Sequence, residues 1–312
     1  MKLFHLMLWA LILSELTGCT QSKTNIDMPI GTSRELNIRK YEYNARLSKH
    51  TLNPSTNKPI KYEPIQNTTA YNTERLSNNI SKRRIALVIG NSNYIDGGTL
   101  PNPVNDARAM FQSLQRLNFQ VIKYENVRQT DMKKAIDNFG NRLKKFDVGL
   151  FFYAGHGLQV QGSNFLVPID AVIKSENDVE YNCVNAERIF GKMEDANCKT
   201  NIIILDACRD NPFERSWSRG IVRKGKGLAF MNAPSGSIIA YATSPGRTAS
   251  DGISGQNGVY TAALLKYMQT PNITIENMFK MVRADVEKAT RGQQIPWEST
   301  SLKGNFLFNI QK

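Results

Sequence analysis

The pattern of apolar and polar residues changes sharply near Arg83. From Thr20 to about Ser81 the sequence is rich in Asn, Thr, Ser, Lys and Pro and has no sustained apolar period, which is typical of a tether without a packed core. Beyond this point, short continuous apolar runs alternate with stretches whose apolar residues recur at helical spacing. This alternation predicts an α/β protein with a mainly parallel sheet of about six strands and helices on both faces.

The continuous apolar runs predict strands that are buried on both faces. These strands are residues 85–89, 119–124, 148–153, 202–205 and 237–243, with 165–168 as a short edge or hairpin element and 306–310 as the last strand. The predicted helices are residues 104–117, 130–145, 184–193, 259–269 and 275–290. We therefore predict one folded domain at residues 82–312.

The first residues form a separate apolar segment with the features of a signal peptide. Its apolar run, Leu3 to Leu13, is shorter than the roughly 20 residues that cross a bilayer. The closing L-T-G-C at 16–19 resembles a bacterial lipobox, which implies a leader at 1–18, a lipid on Cys19, and a membrane-anchored lipoprotein outside the cytoplasm, on the periplasmic side or at the cell surface. An ordinary signal peptide with a chance cysteine is the alternative. Residues 19–81 are then the tether.

Composition excludes several classes of function. The formal charge of +13 is spread along the chain without a run of about five Lys or Arg, so no nucleic-acid partner is expected. The four cysteines are too few and too irregularly spaced for a disulfide scaffold or a CxxC zinc site, and we expect no metal or other cofactor. Cys183 and Cys198 are either a disulfide pair or buried reduced thiols.

A thiol and an imidazole are the candidate reactive groups. Cys208 closely follows the apolar run at 202–205, at the position where open α/β sheets place their sites. His156 closely follows the strand at 148–153 and is the only histidine of the predicted domain, since His5 lies in the leader and His50 in the tether. If these two strands are neighbours, His156 and Cys208 lie at the same edge of the sheet.

Such a pair has a defined chemistry. An imidazole that takes the thiol proton increases the thiolate fraction and can later protonate a leaving amine. The glycines on either side of His156 allow a tight turn and close approach to a substrate. The backbone N–H groups of Gly157 and Cys208 are candidate oxyanion donors, each worth about 3 kcal/mol of barrier. The predicted reaction is acyl transfer from an amide, which is peptide hydrolysis.

Two motifs, Y-A-G-H-G at 153–157 and D-A-C-R-D-N-P at 206–212, resemble the caspase-like cysteine peptidases of clan CD, family C14, in particular bacterial relatives of caspases and metacaspases. I-A-L-V-I-G-N-S-N-Y at 85–94, N-G-V-Y-T at 257–261 and Q-x-P-W-E-S at 294–299 fit the same family. The resemblance implies a caspase-like fold, a His156–Cys208 dyad and a peptide or protein substrate. It leaves open a need for Ca²⁺, a ligase activity on the same thioester, and a non-catalytic caspase-like module that binds peptide or assembles with partners.

Three acids are candidates for the substrate pocket. In metacaspases, aspartates at positions matching Asp206 and Asp106 select Arg or Lys before the cut, so the resemblance implies cleavage after basic residues. Asp251 is the third candidate. Asp206 has an alternative role as a cap on backbone N–H groups, and Asp106 as a carboxylate at a helix start.

A basic stretch follows the candidate nucleophile. Residues 214–227 hold five Lys or Arg residues among Gly and Ser. This stretch is either a solvated loop or a site of self-cleavage by an enzyme that cuts after basic residues.

Overall fold

The computed structural model describes residues 82–208, 228–244 and 255–311, and at Cys208 it describes the backbone. These residues fall in one unit, Asn67–Lys312, and the other unit, Met1–Gln66, lies outside them. Cys19, Asp251 and the basic stretch at 214–227 also lie outside the described residues. The division into leader, tether and domain therefore stays a prediction.

In the described part of the chain the main sheet has six strands in the order β2-β1-β3-β6-β7-β8. All neighbouring pairs along this path are parallel except β7 and β8, which are antiparallel. Two short strands, β4 and β5, extend antiparallel from the far end of β3. The strands are β1 (Arg84–Gly90), β2 (Phe119–Glu125), β3 (Val148–Val160), β4 (Ser163–Leu166), β5 (Val184–Asn185), β6 (Thr200–Cys208), β7 (Ser237–Tyr241) and β8 (Trp297–Thr300).

Helices cover both faces of this sheet. The helices are α1 (Pro103–Arg116), α2 (Gln129–Leu143), α3 (Asn177–Asn182), α4 (Glu187–Asp195), α5 (Val259–Tyr267) and α6 (Ile275–Ala289). One core contains residues of α1, α5 and α6 together with Ala86 and Val88 of β1. A second core contains residues of α2 and α4 together with Leu87 and Ile89 of the same strand. Because alternate residues of β1 enter opposite cores, the strand is apolar at successive positions. The mainly parallel sheet with helices on both faces confirms the predicted fold class.

The prediction of a last strand at residues 306–310 is wrong. This apolar segment is not a strand, although Phe306 and Phe308 are buried in the first core. The buried guanidinium of Arg84 donates to the carbonyls of Leu307 and Phe308 and lies 5.1 Å from the Phe306 ring centroid. Since a side chain satisfies these carbonyls, the segment needs no strand partner for them, and β8 is the last strand within residues 255–311.

Two further boundaries differ from the sequence prediction. The stretch at 184–193 begins as strand β5 before it becomes helix α4, and the short helix α3 comes before it. Strand β3 extends to Val160 and β6 to Cys208, so His156 and Cys208 lie within strands and not in the loops that follow them. Residues 154–156 of β3 pair with residues 206–208 of β6. This pairing is a long-range interaction, so the local apolar pattern does not predict it.

Cys183 and Cys198 are both buried free thiols. Burial raises the pKa of Cys183 to about 12 and also raises the pKa of Cys198. Both residues therefore remain neutral at physiological pH and belong to the packed interior, which decides between the two alternatives left open by the sequence.

Candidate active site

The register of the two central strands brings His156 and Cys208 together. β3 and β6 pair in parallel from Val148 opposite Thr200 to His156 opposite Cys208. Neighbouring strands lie about 4.8 Å apart, so the two backbones are as close as adjacent strands allow. The two strands on which we expected the imidazole and the thiol are therefore neighbours, and both residues lie at the carboxyl end of the parallel β3–β6 ladder.

Tyrosine side chains surround His156, which is only 5% exposed. Its backbone N–H donates to Tyr94 Oη at 2.7 Å, and the Tyr94 ring centroid lies 4.4 Å from the imidazole centroid at an interplanar angle of 44°. Its carbonyl accepts from the Tyr153 hydroxyl at 2.7 Å and from the backbone N–H of Val167 at 3.1 Å. Both backbone polar groups of His156 are therefore held by defined partners.

The two glycines beside His156 make room for protein side chains. Gly155 has φ +153°, and a Cβ there would lie 2.5 Å from Tyr94 Oη and 2.7 Å from Tyr153 Oη. A Cβ at Gly157 would lie 2.9 Å from the Cβ of Ala207 on β6. From the sequence we expected both glycines to allow a tight turn and close approach to a substrate. They lie inside β3 instead, and the close packing of neighbouring side chains requires glycine at both positions.

Asp106 and Asp206 converge at the start of helix α5. Asp106, in the first turn of α1 and 3% exposed, accepts from the backbone N–H of Gly258 at 2.9 Å. Asp206, two residues before Cys208, accepts from Thr261 Oγ1 at 2.6 Å. A Cβ at Gly258 would lie 3.3 Å from an Asp106 carboxylate oxygen and 3.7 Å from one of Asp206. Both carboxylates therefore lie at the same point, the positive end of the α5 dipole.

The alternatives for these two acids can be compared with this geometry. Asp206 accepts a hydrogen bond from the side-chain hydroxyl of Thr261, which links it to α5. Asp106 lies in the first turn of α1, so the helix-dipole role remains, but its carboxylate also bonds across to Gly258. The position of each acid thus depends on α5 as well as on its own element.

The sequence analysis assigned no role to several residues that lie near the site. Gly258, Tyr260 and Thr261 lie in N-G-V-Y-T, a segment that fits the family and to which the sequence analysis gave no role. Tyr94 is the last residue of the family segment at 85–94. Tyr260 is fully buried, and its hydroxyl has no hydrogen-bond partner in the part of the chain that the structure describes. Burial, and after it the charge of Asp206, raise the pKa of Tyr260 well above its ordinary value. The sequence signal that could have identified these residues is the pair of hydroxyl-bearing residues, Tyr260 and Thr261, that follows Gly258.

The described residues contain neither a candidate metal site nor a candidate membrane-spanning helix. Among residues 82–208, 228–244 and 255–311 no group of three His, Cys, Asp or Glu residues is arranged to hold a metal ion. Over the same ranges no helix is both long enough and apolar enough to cross a membrane.

A mainly parallel six-stranded sheet with helices on both faces, and a His and a Cys in register on its central strands, define a protein of the caspase-like fold. The sequence model of the caspase domain, peptidase family C14, matches residues 83–307. The chain therefore belongs to the caspase-domain family.

Characterised relatives match parts of the chain. It is similar to mucosa-associated lymphoid tissue lymphoma translocation protein 1 of Homo sapiens, with 33% identity over 130 residues, 42% of this chain and 15% of the relative. It is also similar to caspase b of Danio rerio, with 29% identity over 103 residues, 31% of this chain and 23% of the relative. The chain thus spans less than a quarter of the length of either relative.

Solved structures show the same fold at low sequence identity. The Drosophila initiator caspase Dronc matches with a TM-score of 0.53 and 15% identity, over 73% of this chain and 84% of that one. Caspase-1 from Spodoptera frugiperda matches with a TM-score of 0.54 and 15% identity, over 74% of this chain and 92% of that one. Their likeness confirms the caspase-like fold.

Proposed function

We propose that this protein is a cysteine endopeptidase in which Cys208 is the nucleophile and His156 the general base and acid. The observation that carries the proposal is the register of β3 and β6, which sets these two residues opposite each other. The thiolate adds to the scissile carbonyl, and the imidazolium then protonates the leaving amine as the C–N bond breaks. Water, deprotonated by the same imidazole, hydrolyses the thioester and restores the thiol.

Strand geometry supports Gly157 as an oxyanion donor. Successive N–H groups of a strand point to opposite sides in the plane of the sheet. The His156 N–H donates to Tyr94, which follows β1. The next N–H, that of Gly157, therefore faces the β6 side, where Cys208 lies, and the Cys208 N–H is the second donor. In the proposed reaction both N–H groups bond to the oxyanion of the tetrahedral intermediate.

The paired acids support cleavage after Arg or Lys. Asp106 and Asp206 present carboxylate oxygens within 4 Å of one point at the start of α5. A guanidinium has several N–H donors in a planar fork and can bond to carboxylates in pairs, and an ammonium gains from the same two charges. An acidic substrate side chain would be repelled there. We assign Asp251 to the same pocket from its sequence position alone.

Self-processing follows from this specificity as part of the proposal. The basic stretch at 214–227 begins six residues after Cys208 in the sequence and contains Arg215, Arg219, Arg223, Lys224 and Lys226. An enzyme that cuts after basic residues has candidate sites in its own chain at this position.

Comparison of wild type with Cys208→Ala tests both activities. Wild type is expected to release fluorophore from peptides ending in Arg or Lys and not from a matched peptide ending in Asp, and to show fragments in its intact-mass spectrum. Cys208→Ala is expected to lack both, because it has no nucleophile. Equal turnover in the two proteins would refute the mechanism, and a wild-type chain that is as uncleaved as Cys208→Ala would refute self-processing. Binding of the peptides without turnover in wild type would favour the non-catalytic module.

We also propose that Cys19 carries a lipid that anchors the protein to a membrane outside the cytoplasm. The L-T-G-C sequence after an apolar run supports this assignment. In bacterial cells grown with radiolabelled palmitate, the full chain is expected to incorporate label and to partition into detergent, and Cys19→Ser to do neither. An unlabelled wild-type chain would favour an ordinary signal peptide.

A further inference from the structure

The ladder between β1 and β3 ends just before His156. β1 ends at Gly90, which lies opposite Ala154, and the Asn91 N–H makes the next bond to the Ala154 carbonyl at 2.9 Å. β3 continues for six more residues. Strand β4 pairs with β3 from Gly157 to Val160. His156 therefore lies between the β1 and β4 ladders, and its N–H needs another partner, because a buried N–H without a partner is unfavourable.

Tyr94 supplies the partner at His156. Its hydroxyl accepts the His156 N–H at 2.7 Å and lies 3.4 Å from the Tyr153 hydroxyl, which bonds to the His156 carbonyl. Two tyrosine hydroxyls thus hold the two backbone groups of one residue, and the Tyr94 ring packs against the imidazole of that residue. The absence of a side chain at Gly155 is what lets both hydroxyls come this close.

The loop that carries Tyr94 is itself held in place. Tyr94 is 8% exposed and packs in a core with Leu158 and Phe165 of the β3–β4 hairpin. The next residue, Ile95, donates its N–H to the Ile169 carbonyl at 2.8 Å, and an isolated bridge joins Asn93 to Thr99. Tyr94 therefore contacts His156 from a fixed position.

We propose that Tyr94 is a positioning residue that sets the orientation of the His156 imidazole toward Cys208. The hydroxyl fixes the backbone from which the imidazole extends, and the ring limits the rotation of the imidazole. The inference rests on the proposed dyad, since orientation matters when the imidazole must take one proton and deliver it to another atom. A displacement of about 1 Å in such a group lowers the rate about 100-fold.

Two substitutions separate the hydroxyl from the ring. Tyr94→Phe keeps the ring and removes the acceptor, and it is expected to lower kcat about tenfold with KM unchanged. Tyr94→Leu removes both and is expected to lower kcat about 100-fold, again with KM unchanged. Tyr94→Phe is therefore expected to be more active than Tyr94→Leu. This partial rescue by the aromatic ring is what a positioning role requires.

Tyr241→Phe is the matched control. Tyr241 is 3% exposed, and its hydroxyl accepts the backbone N–H of Met231 at 3.2 Å, so the variant loses the same kind of buried bond away from His156. Tyr94→Phe and Tyr241→Phe are expected to show similar losses in thermal unfolding temperature, whereas kcat falls only in Tyr94→Phe. Equal kcat in the two variants would overturn the proposal.

A second measurement needs no substrate turnover. The rate at which iodoacetamide alkylates Cys208, followed by mass spectrometry of the Cys208 peptide, reports the thiolate that the imidazole maintains. Tyr94→Leu is expected to slow this alkylation about tenfold relative to wild type and to Tyr241→Phe. An unchanged rate in folded Tyr94→Leu would also overturn the proposal. A wild type that alkylates fast but cleaves no peptide would count against the proposed peptidase and leave this comparison valid.

Discussion

His156→Ala is expected to lower kcat/KM for an Arg-ending reporter peptide by a factor of about 10³ to 10⁴. The imidazole has two tasks in the proposed reaction, since it takes the Cys208 proton and later protonates the leaving amine. His156 is the only histidine of the region that the caspase-domain model matches, so no other imidazole there can replace it. The measurement is steady-state turnover with circular dichroism to establish that the variant is folded.

His50→Ala is the control for this substitution. His50 lies in the predicted tether, outside the matched region, and its removal is expected to leave turnover unchanged. If folded His156→Ala retained more than a tenth of wild-type kcat/KM, His156 would not be the general base, and the dyad would have to be abandoned.

The second large effect concerns the two converging acids. Asp206→Asn or Asp106→Asn is expected to lower kcat/KM for an Arg peptide about 30-fold to 1000-fold, because each variant removes one partner from a charge pair that is desolvated when substrate binds. A matched peptide with citrulline, which has the shape of Arg without its charge, is expected to change by less than about threefold. The measurement is the Arg/citrulline ratio of kcat/KM in each variant.

The Arg/citrulline ratio separates a pocket role from a structural one. A carboxylate that only supports α5 would, when replaced, affect both peptides equally. Asp285→Asn is the control, since Asp285 pairs with Lys266 on the surface between α5 and α6 and the same charge is lost away from the site. An unchanged ratio in both Asp206→Asn and Asp106→Asn would contradict the assignment of these two acids to the pocket for basic residues.

Much of the fold could be predicted because the strands of the main sheet are buried on both faces. Ile85 to Ile89 send alternate side chains into two different cores, so the strand is apolar at every position and stands out in the sequence. The same criterion failed at residues 306–310. Burial of an apolar segment does not require a strand when a side chain, here that of Arg84, satisfies its carbonyls.

The candidate dyad could be located from the sequence because its two residues are scarce and follow recognisable strands. The extension of β3 through His156 could not, since Gly155 and Gly157 carry no apolar signal and the pairing of Gly155 and His156 depends on β6, more than forty residues later. Tyr94 and Gly258 were missed for the same reason. Their contacts with His156, Asp106 and Asp206 exist only after distant segments have packed together.

Arg84 has a consequence for the order in which this protein is completed during synthesis. Its guanidinium lies in the first strand, yet it bonds to the Phe308 carbonyl, 224 residues later. A nascent chain that has emerged only as far as α6 lacks this carbonyl and that of Leu307, so β1 would have to bury a cation without these partners, which is costly. Stable closure of the domain therefore waits until residues 307 and 308 have left the ribosome, and the proposed peptidase stays incomplete until then.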